Sequence, residues 1–446
     1  MALELRDYQK EDVQRILDTP TLGIFNEQRT GKTPTAIVGM TQKCTRILIV
    51  CPNSMCYTWQ TELKKWADID AHVFTAKPKI KKDVPPVCII NYEKLPSTAG
   101  ERTWLKILSC MDYEGLIIDE AHRIKNTQTA TNRAIMALAR DIPNRLALTG
   151  TPAHDKPEDI FAILRFLNPA LFRSKYKFVA DWCTTTRVFT PNGMIAKPSG
   201  IKPERKQEFI NMLNRMAIMR KRTWGHNTET IEVKLKLTKV QQKYLKELCD
   251  YFETKDEEQN RIITQGVLDR IVRYRQICNH PGTANLAGDS PKLAWIINYI
   301  KDYPENSVLI FSNSRKFLEK LSYELQLHRI YHRIIAGGTP PIKRTEIQKD
   351  FQDKNCTVLL IQTQAGKEGL TLDSADVTIF CDTYPPLADY LQAKDRMAPA
   401  NPDDTRLRTI YRLMMEDSYD EELYNLIDNN IEATSIINNF INYVRR

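Results

Sequence analysis

No apolar run in the 446 residues approaches the roughly 18 that a membrane span needs. The opening stretch MALELRDYQK carries charges where a secretion signal needs an apolar core, so a cytoplasmic protein is expected, in the host cytoplasm if a phage encodes it. The ten cysteines include no C-x2-C pair. Their closest spacing, Cys44, Cys51 and Cys56, suits neither a zinc site nor a disulfide framework. They read as reduced, mostly buried thiols. There is no tandem repeat of solenoid period and no low-complexity tail. What is present is a globular composition, 42% apolar and 27% charged, long enough for two to four domains.

The net charge of +9 is a weak pointer to a polyanion until its location is known. Residues 173–222 hold twelve basic and three acidic side chains, an excess equal to that of the whole chain, whereas residues 373–446 carry a net of −7. Aromatics interleave the basic stretch: Tyr176, Phe178, Trp182 and Phe189, with Trp224 just beyond. Basic and aromatic side chains together suit phosphate contact and base stacking.

Short, continuous apolar runs recur at 47–51, 87–90, 116–119 and 145–148, then at 308–311, 357–361 and 377–381. Stretches of helical spacing lie between them, such as 58–66 and 315–327. Buried strands alternating with helices predict parallel sheets covered on both faces, and two such sets predict two α/β domains. From about 160 to 280 the pattern is mostly helical, for example 206–219 and 241–251, interrupted by the turn-rich PNGMIAKPSG at 191–200. The expected division is a first α/β lobe at 1–159, a helical, basic insertion and connector at 160–289, and a second lobe at 290–446.

The strongest chemistry begins at NEQRTGKT, residues 26–33. A phosphate loop needs glycine for close backbone approach and amides at a helix N-terminus. Lys32 would reach the β- and γ-phosphates, and the Thr33 hydroxyl would hold Mg2+. Asn26 and Arg29 stand where glycines are often found. About 85 residues on, LIIDEAH places Asp119 and Glu120 at the C-terminal end of a strand, where open α/β sheets bind ligands. Asp119 can hold Mg2+, and Glu120 can orient and deprotonate the attacking water.

DEAHRIKN (119–126) and LTGTP (148–152) resemble motifs II and III of superfamily 2 helicases, specifically the SNF2/Rad54-like group. The likeness runs along nearly the whole chain. LRDYQ (5–9) resembles the adenine-reading segment, LIVCPNSMCYTWQTELKKW (48–66) motif Ia, and INYEKL (90–95) motif Ib. YRQICNHP (274–281) resembles the stretch before the second lobe, VLIFSNS (308–314) motif IV, QTQAGKEGLTL (362–372) motif V, and QAKDR (392–396) the start of motif VI. The small size and the EQRTGKT wording are similar to compact bacteriophage members of the group, one of them a branch-migrating helicase.

The resemblance implies two RecA-like lobes that use ATP and Mg2+ to move on DNA. On the nucleotide side it implies Gln9, Arg29, Thr30, Gly31, Lys32, Thr33, Gly369 and Gln392, with Thr149, Thr151 and His122 coupling phosphate state to lobe movement. On the DNA side it implies backbone contacts by Asn53, Trp59, Tyr92, Lys94, Arg123, Lys125, Asn313, Arg315, Thr363, Gln364 and Lys367. Motif VI departs from the family: Arg396 is present, but Pro399 stands at the second arginine position. Arg396 is therefore the expected finger, with Arg29, Lys367, Arg406 and Arg408 as substitutes. The expected activity is DNA-stimulated ATP hydrolysis driving fork unwinding or branch migration in phage replication, recombination or repair, by a monomer whose partners include replication or recombination proteins. The alternatives are a duplex translocase that does not separate strands, an ATP-switched DNA-binding scaffold, and a motor on RNA.

Overall fold

A computed structural model describes residues 4–77, 84–96, 103–150, 157–190, 193–224, 227–251, 253–256, 261–264, 266–366, 370–382, 390, 393–399, 401 and 403–428. The chain divides into two compact units, 1–223 and 224–446.

The first unit runs α1 (Asp7–Asp18), β1 (Thr21–Ile24), α2 (Lys32–Lys43), β2 (Ile47–Cys51), α3 (Cys56–Ala67), β3 (His72–Val73), β4 (Val87–Asn91), α4 (Trp104–Ser109), β5 (Gly115–Ile118), α5 (Ala130–Asp141) and β6 (Asn144–Leu148). It continues through α6 (Phe161–Leu167), α7 (Lys175–Trp182), β7 (Cys183–Thr190), β8 (Gly193–Ile201), α8 (Lys206–Met216) and β9 (Ala217–Ile218). Seven strands form one sheet in the order β3-β4-β2-β5-β6-β1-β9, every pairing parallel. β2 is buried along its whole length, which is why it reads as a continuous apolar run. Alternate residues still go to opposite faces. Ile47, Ile49 and Cys51 pack with Ile37, Met40, Trp59 and Leu63 from α2 and α3. Leu48 and Val50 pack with Leu108, Ile135, Leu138 and Phe166 from α4, α5 and α6.

The second unit runs β10 (Thr228–Leu235), α9 (Lys239–Tyr251), β11 (Glu253–Lys255), β12 (Arg261–Ile263), α10 (Val267–Asn279), α11 (Pro291–Asp302), β13 (Val308–Ser312), α12 (Arg315–Leu327) and β14 (Arg333–Ile335). It then has α13 (Pro341–Gln352), β15 (Val358–Gln362), α14 (Thr363–Gly366), β16 (Val377–Phe380), β17 (Arg408–Met415) and a last helix, α15 (Tyr419–Asp428). Its six-stranded sheet, β10-β17-β16-β13-β15-β14, is also all parallel. Ser314 caps α12 by accepting from the Phe317 amide, and Ser290 caps α11 ahead of Pro291.

The two α/β sets are as expected, and the middle of the chain holds more strand than its pattern suggests. β9 adds the end of the basic stretch to the first sheet, and β10 adds an edge strand to the second. The turn-rich 191–200 stretch falls largely in β8, which pairs antiparallel with β7 in a separate two-stranded ribbon. In such a ribbon both strands are edges, so Pro198 and Gly200 cost little there. Among the described residues no helix is long and apolar enough to cross a membrane.

Candidate nucleotide and nucleic-acid site

The loop from β1 to α2 is held by its neighbours on both sides. The amides of Phe25 and Glu27 donate to the carbonyls of Ile218 (2.8 Å) and Arg220 (2.9 Å), so the loop continues the β1–β9 ladder. Asn26 is almost fully buried. Its Oδ1 accepts from the Arg220 amide at 2.9 Å, and its Nδ2 donates to Asp12 Oδ2 at 3.3 Å. The Arg220 guanidinium donates twice to Asp12 Oδ1, at 2.8 and 2.6 Å, and once to Glu11 at 2.9 Å. The residue that replaces a family glycine is thus a bracket between α1, the loop and the chain after β9. Sequence reading missed this trio. The available signal was that Asp12 shares the inward face of α1 with Gln9, Val13 and Ile16.

Gly31 adopts φ +78° and precedes α2, whose first turn has no side-chain cap. Those uncapped amides suit an anion. A Cβ at Gly31 would lie 2.1 Å from Gln9 Nε2, so the site needs glycine for space as well as for backbone angle. Gln9 accepts from the Arg6 amide (2.9 Å) and donates to the carbonyls of Thr30 (3.2 Å) and Gly31 (3.4 Å). Its amide therefore braces the loop. Tyr8 adds a second bond to the Thr30 carbonyl at 2.9 Å. Arg29 also has positive φ, at +66°. Thr33 is half-buried in the first turn of α2. Lys32 Nζ donates to the carbonyls of Asn26 (2.9 Å) and Glu27 (3.1 Å). A Cβ on Gly150, in LTGTP, would sit 3.6 Å from that Nζ, which brings motif III against motif I.

Asp119 follows β5 directly and is 7% exposed. Trp59 Nε1 donates to its Oδ2 at 2.8 Å, the Glu120 amide donates to its Oδ1 at 2.9 Å, and the Tyr92 hydroxyl donates to its carbonyl at 2.7 Å. Burial, then the neighbouring Glu120 charge, push its carboxyl up to about 6, against the pull of these hydrogen bonds and of Lys32. Lys32, Asp119 and Glu120 thus share one electrostatic site. Glu120 is held at φ +49°, a costly region for a side-chain-bearing residue. Its Oε2 lies 3.3 Å from His122 Nδ1, which lies 3.4 Å from the hydroxyl of the buried Thr149. Thr151 lies outside the described residues.

This donor set fits ATP with Mg2+. It offers uncapped helix amides, a lysine, a hydroxyl, and a buried carboxylate whose charge a cation would relieve. No group of three or more His, Cys, Asp or Glu among the described residues could hold a metal alone. Mg2+ is commonly held by one or two protein oxygens together with substrate phosphates.

Two expected DNA contacts are corrected. Trp59 is fully buried and Tyr92 is 2% exposed. Both spend their polar hydrogens on Asp119, and neither presents a donor to a DNA phosphate, the contact expected of them. Asn53, Lys94, Arg123 and Lys125 do lie at the strand ends of the first sheet. Asn53 Oδ1 accepts from Asn91 at 2.7 Å, Arg123 pairs with Glu93 at 2.9 Å, and Lys125 lies 3.5 Å from Asp159.

In the second unit, Asn313 donates its amide and Nδ2 to Asp382 Oδ1, both at 2.8 Å. Asp382 is buried and also accepts from Ser312 and Asn279. Asn279 in turn accepts from Lys292, which is 0% exposed and ion-paired with the buried Asp420. Sequence reading missed this buried network beneath motif IV. Arg315 is exposed and pairs with Glu319 at 2.8 Å, Gln364 is exposed, and Thr363 is buried. Lys367, Gly369 and Gln392 lie outside the described residues.

Arg396 is 7% exposed and donates to the Leu370 carbonyl at 3.1 Å, while the Leu372 amide donates back to its carbonyl. These two bonds hold segment 370–372 against Arg396 within its own unit. Arg406 and Arg408 both bond Asp404 and the Asp373 carbonyl. These two guanidiniums hold the Asp404 carboxyl well below its usual range, and they are poor substitutes for the missing arginine.

Residues 21–283 match the SNF2-related domain, and residues 291–401 match the helicase conserved C-terminal domain. The mouse SWI/SNF-related matrix-associated actin-dependent regulator of chromatin subfamily A member 1 is 24% identical over 473 residues, covering 97% of this chain and 43% of its own. The Saccharomyces cerevisiae nuclear protein STH1/NPS1 is 27% identical over 385 residues, covering 78% of this chain and 28% of its own. The chain thus spans less than half the length of these curated relatives. Among solved structures, the Sulfolobus solfataricus SWI2/SNF2 ATPase core in complex with dsDNA is 20% identical, with a TM-score of 0.46, covering 96% of this chain and 92% of that one.

Proposed function

The chain belongs to the SNF2-related family and is an ATP hydrolase of superfamily 2, and from that premise we propose that it is a motor that translocates on duplex DNA. The observation that carries the reading is the convergence of Lys32, Asp119 and Glu120 at the uncapped start of α2. The curated relatives are named as chromatin regulators and nuclear proteins, which favours a duplex track over the fork unwinding expected first.

In this reading the α2 amides and Lys32 hold the phosphates, while Thr33 and Asp119 hold Mg2+. The cation, when bound, neutralises charge developing on the transferred phosphoryl group. Glu120 takes the proton of the attacking water. His122 lies between the Glu120 carboxylate and the Thr149 hydroxyl, so that the position of Glu120 responds to the loop at motif III. Asn53, Lys94, Arg123, Lys125, Asn313, Arg315 and Gln364 supply the DNA-facing polar groups. Arg396 positions the motif V segment.

The test is the ATP hydrolysis rate against single-stranded, duplex, forked and four-way DNA and against RNA, with triplex displacement as the translocation readout and Lys32→Ala as the control. Duplex stimulation with triplex displacement and no fork unwinding is expected. Fork unwinding would restore the helicase reading. An absence of nucleic-acid stimulation would favour the ATP-switched scaffold.

A further inference from the structure

The first unit carries a cavity lined by none of the phosphate-site residues. It lies between α5 and α6, with a volume of about 410 Å3. Arg133, Arg140, Arg165 and Arg173 line it, over a floor that includes Met136 and Phe166, and among the described residues no Asp or Glu contributes to the wall. Arg133 donates to the Gln128 carbonyl (3.1 Å) and Arg173 to the Ala170 carbonyl (3.0 Å). Those are neutral acceptors. Among the described residues none of the four is ion-paired. Four like charges around one cavity raise the energy of the folded unit, and an anion in the cavity removes that cost.

The spacing and surroundings point to a particular anion. Arg133 and Arg140 are seven residues apart on α5, about 10 Å of helix rise. That matches roughly three nucleotides of duplex rise at 3.4 Å each. Arg173 also opens the basic stretch found in the sequence. Lys175 and Lys177 follow it on the exposed start of α7, and Tyr176 between them is 86% exposed. Cations in a row with an open aromatic suit a nucleic-acid backbone better than a single small anion.

We propose that the arginine cavity and the start of α7 form a second surface for nucleic-acid backbone, separate from the strand-end residues of the helicase motifs. The inference rests on the DNA reading above.

The test uses the full chain with Arg140→Gln/Arg165→Gln and, as the charge-preserving partner, Arg140→Lys/Arg165→Lys. Duplex affinity is measured across a salt series, on a short duplex and on a long one. The Gln pair should flatten the dependence of log affinity on log salt by ~2, at about 0.9 for each phosphate no longer neutralised. The Lys pair should keep the slope, and DNA-free ATP hydrolysis should be unchanged in both. Arg133→Gln, on an exposed position, repeats the test should the α6 change disturb folding. An unchanged slope in a wild type that binds DNA overturns this inference alone. A wild type that binds no DNA overturns the DNA reading with it. Loss of binding to an Asp/Glu-rich peptide, with DNA binding intact, would make the cavity a protein-docking site and overturn the proposal.

Discussion

Arg220→Met removes the guanidinium that joins the end of the basic stretch to the phosphate loop. Arg220 is one-third exposed on its side chain, while its partner Asp12 is only 2% exposed. Breaking a buried ion pair costs about 3–5 kcal/mol, because the remaining charge is left without compensation. The exposure of Arg220 and the surviving Asn26 bond to Asp12 reduce that to about 2–3 kcal/mol. The Glu11 pair lies at the surface and contributes at most about 1 kcal/mol. The backbone bonds of Arg220 to Asn26 and Glu27 survive the substitution, so the loop should loosen rather than unfold. Amide hydrogen exchange over residues 23–31 reads this locally and avoids treating a two-unit chain as a single transition. Protection there should fall by a factor of about 30–150, with about 1.4 kcal/mol per tenfold, and the KM for ATP should rise several-fold. Asp12→Asn should recover part of the deficit in the double variant, a coupling of about 1–3 kcal/mol. The salt slope for DNA binding should not change. Unaltered protection, or a slope flattened by about one, would refute the bracket and return Arg220 to the DNA surface.

Gly31→Ala should abolish ATP binding and leave the second unit's melting untouched, because a Cβ there meets Gln9 Nε2 at 2.1 Å; nucleotide titration with thermal melting checks it. In nucleotide- and metal-free protein, Asp119 has a carboxyl raised from 3.8 to about 6. Its contribution to stability is therefore full below 3.8 and is lost as pH rises through 6, by about 3 kcal/mol. Asp119→Asn gives up one of the two acceptors used by Trp59 and Glu120, so it should be less stable than wild type near pH 4 yet lack the wild type's loss between pH 4 and pH 8; the same loss in both proteins would contradict the burial argument. Lys292→Met should destabilise the second unit by about 3–5 kcal/mol by stranding Asp420, and adding Asp420→Leu should restore much of that in denaturant melts.

The two parallel sheets were legible because both faces of each central strand are covered. A strand such as that at 308–312 then has no choice but to be apolar along 308–311, and its one polar residue, Ser312, is bonded to Asp382. β10 was not legible for the opposite reason. As an edge strand it alternates Thr, Ile, Glu, Val, Lys, Leu from 230 on and exposes the polar half. The site divides in the same way. Gly31, Lys32, Asp119 and Glu120 are adjacent within short motifs, and each has a local reason to be there: a left-handed turn, a helix N-terminus, a strand end. Asp12, Asn26 and Arg220 span more than 200 positions and meet only through the β1–β9 ladder.

The sequence by itself determined the family and the two α/β units and proposed the residues of the phosphate site, since motif chemistry depends on neighbours along the chain. Only the tertiary structure decided what the charges and aromatics do. It sent Trp59 and Tyr92 inward to Asp119, turned Arg220 from a DNA candidate into a loop bracket, and tied Arg396 to the Leu370 carbonyl. It also gathered Arg133, Arg140 and Arg165, unremarkable where they stand in the sequence, with Arg173 around one cavity. The physical reason is the same throughout: a side chain's role depends on its burial and on its partner, and both are set by which distant segments the sheet brings side by side.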